Sequence, residues 1–184
     1  MQINSLIKAS VLAIFGLVGP ALAENAWETI PDPASLPQPA LSGTAAIGGE
    51  TVYFETHGTT GPWIIFLHGG TGSVLDWGSQ VPAFAEHNRV LLIESRAHGR
   101  STWDGTPLSY DRMASDVIVV MDALGIESAP MVGWSDGGNV ALIVGINHPD
   151  RVQKIVTSGS NADPAGIDLE ILKQPPYSTP DDRF

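Results

Sequence analysis

No cysteine occurs in these 184 residues. That excludes a disulfide framework and any thiolate metal site, and it leaves the redox compartment open. Cations are scarce as well, with 9 Lys and Arg against 20 Asp and Glu and a formal net charge of −11. Nucleic acid and anionic lipid both require a cationic surface, so neither is expected as a partner. Long apolar runs are also missing. The apolar stretch at residues 9–18 is short, and Gly16, Gly19 and Pro20 interrupt it, whereas a membrane-spanning helix needs about 20 largely apolar residues. Histidine is sparse, five in all, and His148 is the sole one after His98.

Residues 1–23 read as a secretory signal. Lys8 supplies the positive region, residues 9–18 the apolar core, and Ala21-Leu22-Ala23 an A-x-A cleavage site. The expected product is secreted or periplasmic, cleaved after Ala23 and free of the membrane; an uncleaved anchor is the alternative. Residues 24–43 carry Pro31, Pro33, Pro37 and Pro39, which deny a helix and predict an extended lead-in. The length suits one domain, placed at residues 44–163. Residues 164–184, with Pro164, Pro175, Pro176 and Pro180, read as a loop-like tail.

Within the domain the pattern alternates. Strands are expected at residues 44–47 and 51–56 around a Gly48-Gly49 hairpin signal. Trp63–Leu67 and residues 90–93 are continuous apolar runs, as strands covered on both faces should be. A short helix is expected near residues 82–86, and proline is tolerated in its first turn. Met113, Val117, Met121 and Leu124 recur at helical spacing along residues 110–124. Residues 130–133 read as a strand, residues 137–148 as a helix with few polar positions, sandwiched by neighbours, and Val152–Ser158 as a last strand. Strands and helices in this order predict an α/β fold, a mostly parallel sheet with helices on both faces.

Gly133-Trp134-Ser135-Asp136-Gly137 joins the strand at residues 130–133 to the helix that follows. A serine with glycines two residues to either side fits a sharp strand-to-helix turn. The hydroxyl is then thrust clear of the sheet, and the flanking positions have no room for side chains. Ser135 is thus the candidate nucleophile. His68-Gly69-Gly70-Thr71-Gly72 directly follows the Trp63–Leu67 strand, and a glycine loop lets backbone N–H groups approach a developing oxyanion.

The H-G-G loop, the segment Glu94-Ser95-Arg96-Ala97-His98-Gly99-Arg100-Ser101 and the Gly-Trp-Ser-Asp-Gly-Gly run at 133–138 together resemble the α/β-hydrolase family. The likeness lies with its broad group of esterases, proline iminopeptidases and carbon–carbon bond hydrolases, and it runs from about residue 44 to 163. It implies a small-molecule acyl substrate and no cofactor or metal. It assigns the two oxyanion N–H groups to Gly70 and Asp136. The family's usual D-x-R-G-H-G-x-S appears here with Glu94 for aspartate and Ala97 for glycine. That loop is expected to be structural, with Arg96 and His98 bonding it to neighbouring turns. The Asp136 side chain has two readings: a carboxylate that would attract a cationic substrate such as an amino-acid ester, or a solvated acid favoured by the helix dipole.

What the resemblance requires and the chain does not supply is a base. A serine hydroxyl needs a neighbouring base and the base an orienting acid, in the family's order of serine, acid, histidine. His148 lies at the far end of the following helix, roughly 16 Å from the turn at 1.5 Å per residue. His57 and His87 precede strands and are expected at the opposite sheet edge. His98 follows a strand two positions away, about 10 Å at 4.8 Å per strand. His68, the nearest, is expected to pin the oxyanion loop. Asp163 stands where some relatives carry the acid, although a surface turn before Pro164 is the plainer reading.

The expectation is therefore a C-terminally incomplete hydrolase. Either a longer protein continues through a cap segment, begun within residues 164–184, to an acid and a histidine loop, or the chain is truncated. Catalysis by these residues alone would be crippled, and Val152–Ser158 would be an apolar edge prone to aggregation. The rivals to an ester hydrolase are a non-catalytic binding protein and an iminopeptidase-type peptidase.

Overall fold

The computed structural model describes residues 34–161. The secretory segment, the lead-in before residue 34, Asp163 and the tail lie outside the described residues.

Strands β1 (Leu41–Ile47) and β2 (Glu50–His57) form an antiparallel hairpin. Gly48 and Gly49 close it at φ 58° and 99°, backbone that glycine enters readily and other residues rarely do. Strand β1 begins inside the stretch expected to be an unpaired lead-in, because Leu41, Ser42 and Gly43 pair with Thr56, Glu55 and Phe54. The prolines end at Pro39, so nothing prevents pairing from residue 41 onward. Just upstream, Leu36 packs against the core.

The remaining strands are β3 (Trp63–Leu67), β4 (Arg89–Ile93), β5 (Ala129–Trp134) and β6 (Val152–Ser158). The sheet order is β1-β2-β4-β3-β5-β6. Strand β2 runs antiparallel to β4, while β4, β3, β5 and β6 are mutually parallel. Helices α1 (Val81–Ala85), α2 (Tyr110–Ala123) and α3 (Asp136–Asn147) provide the crossovers.

Because side chains alternate across a strand, the parallel strands serve two cores. Ile65, Leu67, Leu91, Ile93 and Met131 meet Met113, Val117, Val120, Met121, Val140 and Val144 from α2 and α3. Ile64, Phe66, Val90 and Leu92 meet Val74, Trp77 and Val81 on the other side. Phe66 packs edge-on against Trp77 at 4.9 Å and Phe84 at 5.2 Å. A buried side chain of this size stabilises the fold by roughly 2–3 kcal/mol.

Helix α2 starts where Ser109 accepts the Arg112 N–H, an N-cap that satisfies one orphan donor. A 3-10 turn at Val74–Trp77, absent from the sequence-based expectations, is closed by a capping box between Ser73 and Asp76. Helix α3 is less enclosed than its composition implies. Val140, Ala141 and Val144 are buried, but Ile146 is 72% exposed. On β6, Ile155 packs on the core while Val156 is 62% exposed. Among the described residues no helix is long and apolar enough to cross a membrane.

Candidate active site

Parallel pairing sets Leu67 opposite Gly133, so β3 and β5 end side by side. The loops that leave them, at His68 and Ser135, therefore emerge at one sheet edge. Ser135 has φ 51° and ψ −118°, a region costing a non-glycine residue about 1–3 kcal/mol. The neighbouring glycines show why the turn is so sharp. A β-carbon at Gly133 would lie 2.5 Å from the Gly137 carbonyl group, and one at Gly137 would lie 2.0 Å from the Leu67 oxygen. Neither position tolerates a side chain.

The serine is also chemically uncommitted. Serine at a helix N-cap ordinarily accepts a backbone N–H, as Ser73 and Ser109 do here. Ser135 is the N-cap of α3 yet makes no capping bond. Its backbone is held instead: its N–H donates to the Ser158 carbonyl at 2.8 Å, and its carbonyl accepts from the Ser160 hydroxyl at 3.0 Å. The turn is rigid while the hydroxyl has no structural duty.

The H-G-G loop packs directly on this turn. A β-carbon at Gly69 would sit 3.2 Å from Ser135 Cβ, and one at Gly70 would sit 2.5 Å from Asp136 Oδ2. Among the described residues the Gly70 and Asp136 amides donate to no other residue. Two backbone N–H groups beside a serine hydroxyl can hold an oxyanion.

The histidines near this edge have structural duties. His68 is 2% exposed; its Nε2 accepts the Ser95 N–H at 3.0 Å, and its Nδ1–H donates to the Gly69 carbonyl at 2.7 Å. Burial, ahead of the Gly69 carbonyl's opposing pull, pushes its pKa below the ordinary value. A neutral ring with both nitrogens occupied pins the glycine loop and has no lone pair for Ser135. His98 does the same from β4: its Nε2 accepts the Thr71 N–H at 3.1 Å, and its Nδ1–H donates to the Arg96 carbonyl at 2.9 Å. His57, at the end of antiparallel β2, pairs with Val90 at the start of β4. His87 lies two residues before β4 and His148 just past α3. All three are remote from the turn.

The 94–101 loop is a scaffold built on paired charges. Glu94 accepts the Arg100 amide at 2.6 Å, with Arg100 Nε and Nη2 at 3.1 and 2.7 Å. Burial alone would raise the Glu94 pKa, but those bonds outweigh it and hold the carboxyl below its usual range. Arg96 makes a two-pronged pair with buried Asp116 of α2, Nε to Oδ2 at 2.7 Å and Nη2 to Oδ1, which raises the guanidinium pKa. Ala97 occupies φ 63°, so the loop keeps the left-handed turn that glycine would favour.

Three contributors were not anticipated from sequence. The Tyr110 hydroxyl donates to Asp136 Oδ1 at 2.6 Å, which ties α2 to the serine turn. Ser160 and Asn139 fasten the segment after β6 to the same turn, Asn139 Oδ1 accepting the Asn161 N–H at 3.0 Å. Beside the turn lies a cleft of about 1120 Å³ whose walls include Gly70, His98, Trp103, Tyr110 and Asp136.

A family model described as alpha/beta hydrolase fold matches residues 62–182. The chain is 39% identical over 110 residues to the "Putative carbamate hydrolase RutD" of Caulobacter segnis, covering 57% of this chain and 41% of that protein. It is 35% identical over 95 residues to the "Putative esterase/lipase" of Haemophilus influenzae, covering 52% and 33%. Among solved structures, Est816, described as an N-acyl homoserine lactone degrading enzyme, superposes with a TM-score of 0.64 at 31% identity, covering 73% of this chain and 53% of that one. The chain thus spans about two fifths of the carbamate hydrolase relative's length.

Proposed function

The chain belongs to the α/β-hydrolase family, and on that premise we propose that it carries the nucleophile half of a serine hydrolase that cleaves a carboxylic ester or a related acyl bond. The relatives' names span carbamate, ester and lactone, all of them carbonyls bonded to a leaving oxygen or nitrogen. The observation that carries the reading is Ser135 at φ 51° and ψ −118°, uncapped and packed on Gly69.

Ser135 Oγ attacks the substrate carbonyl carbon as its proton passes to a base. The carbonyl electron pair moves to oxygen, where the Gly70 and Asp136 amides receive it. Collapse of the adduct breaks the bond to the leaving group, which takes the proton, and water then releases the acyl group by the reverse sequence. His68 and His98 both hold backbone amides, so base and acid are assigned to parts of the protein outside the described residues. We assign export to residues 1–23 as well, on Lys8, the apolar core and the Ala21-Leu22-Ala23 site.

The test is covalent. A fluorophosphonate applied to the complete protein is expected to modify the peptide containing Ser135, and Ser135→Ala to abolish the adduct. Labelling that persists in Ser135→Ala would remove the assignment. N-terminal sequencing of the exported product, beginning at Glu24, tests the signal.

A further inference from the structure

The cleft beside Ser135 has an unusual balance of wall chemistry. One wall is apolar: Trp103, Leu108, Met113 and Ile143 line it. Trp103 is 49% and Leu108 41% exposed, and with Met113 and Ile143 they share one cleft lining, the kind of contiguous apolar surface that marks a binding groove. The loop presenting them is tied down. Trp103 Nε1 donates to the Thr106 carbonyl at 2.6 Å, Thr106 N and Oγ1 donate to Asp104 Oδ1 at 2.9 and 2.6 Å, and Arg112 bridges Asp104 and the Pro107 carbonyl at 3.3 and 3.2 Å. A preformed apolar wall binds without an ordering cost.

Among the described residues the charge in the cleft has one sign: Asp111 and Asp136 line it, and no Lys or Arg does. The nearby guanidiniums are already neutralised, Arg96 by Asp116, Arg100 by Glu94 and Glu55, and Arg112 by Asp104. The His98 ring nitrogens are taken up by the Thr71 N–H and the Arg96 carbonyl. A concave site with low-dielectric walls concentrates the field of two such carboxylates.

We infer that this cleft seats the uncharged, apolar acyl or aryl portion of the substrate against Trp103 and Leu108 and excludes substrates bearing a carboxylate. The inference rests on the hydrolase reading for the cleft's role as substrate site, but its test requires no chemistry. In the complete protein carrying Ser135→Ala, two probes matched in length, methyl hexanoate and monomethyl adipate, are titrated and followed by NMR. The neutral ester is expected to bind at least about tenfold more tightly, about 1.4 kcal/mol. Trp103→Ala should weaken the neutral ester roughly fivefold or more, since an aromatic anchor is lost. Asp111→Asn with Asp136→Asn should bring the two probes within about threefold, and raising the salt to about 1 M in the parent chain should narrow the gap in the same direction.

Equal affinity for the two probes, or a Trp103→Ala change below about twofold, would overturn the inference. The salt arm decides the charge question if the double variant does not fold. Failure of the fluorophosphonate at Ser135 would remove the nucleophile and leave this selectivity standing. Equal binding of the probes would do the reverse.

Discussion

The Tyr110 hydroxyl donates a 2.6 Å hydrogen bond to Asp136 Oδ1, joining the first turn of α2 to the first turn of α3. These residues lie 26 positions apart, and the bond fixes the side chain next to the proposed nucleophile. Burial and then the bond to Asp136 raise the Tyr110 pKa above 10.0. Asp136→Asn is therefore expected to move this tyrosine's titration back toward 10, measured by tyrosinate absorbance against a Tyr110→Phe control. An unchanged titration would mean the bond is absent in solution.

Glycines 133 and 137 are expected to be indispensable to folding as well as to the site. Alanine at either would meet backbone within 2.5 Å, and backbone cannot step aside as a flexible side chain can. Gly137→Ala should cost at least about 3 kcal/mol, at the upper end for overpacking. Gly69→Ala, with its nearest contacts at 3.2 Å, should cost less. Urea denaturation of the three variants ranks them.

Ala97 offers the opposite sign. At φ 63° it carries the strain of left-handed backbone, about 1–2 kcal/mol for an L-residue. Ala97→Gly relieves that strain and adds some unfolded-state entropy. The net expectation is a stabilisation of up to about 1 kcal/mol, read as a higher denaturation midpoint. A destabilised variant would mean the turn differs from the one described.

Acidification should weaken the fold in two stages. Burial, ahead of the attraction of Glu55, pushes the His57 pKa below 6.5, and burial does the same to His68. The unfolded chain thus takes up protons near pH 6.5 that the folded chain refuses. This contribution is complete above pH 6.5 and is lost as the pH falls toward the folded values. Glu94 is held below 4.5 by Arg100 against the effect of its burial, so its contribution is present above 4.5 and is lost below. Urea midpoints at about pH 7.5, 5.5 and 4 should fall in that order. His57→Phe should flatten the first interval, since His57 Nδ1 is buried without a partner.

Much of the fold is legible in local composition. Trp63–Leu67 and Val152–Ser158 keep their expected limits because each is a run of mainly apolar or β-branched residues closed by breakers or loops. The serine turn is legible because glycine is the sole residue that fits at 133 and 137. Long-range polar contacts are not. Nothing local marks Tyr110 as the partner of Asp136, or Asp116 as the partner of Arg96, because helix packing creates both pairings. The Val74–Trp77 turn escapes notice because four residues show no period. The resemblance fixed what kind of part His68 and His98 play. The amides they hold, Ser95 and Thr71, follow from where the loops cross.

Whether Ser135 is the nucleophile is decided by hydrolysis of a p-nitrophenyl ester by the complete protein and its Ser135→Ala variant. The expected result is a loss of kcat of about 10³-fold or more, with the variant folded by circular dichroism. Unchanged hydrolysis by folded Ser135→Ala would contradict it.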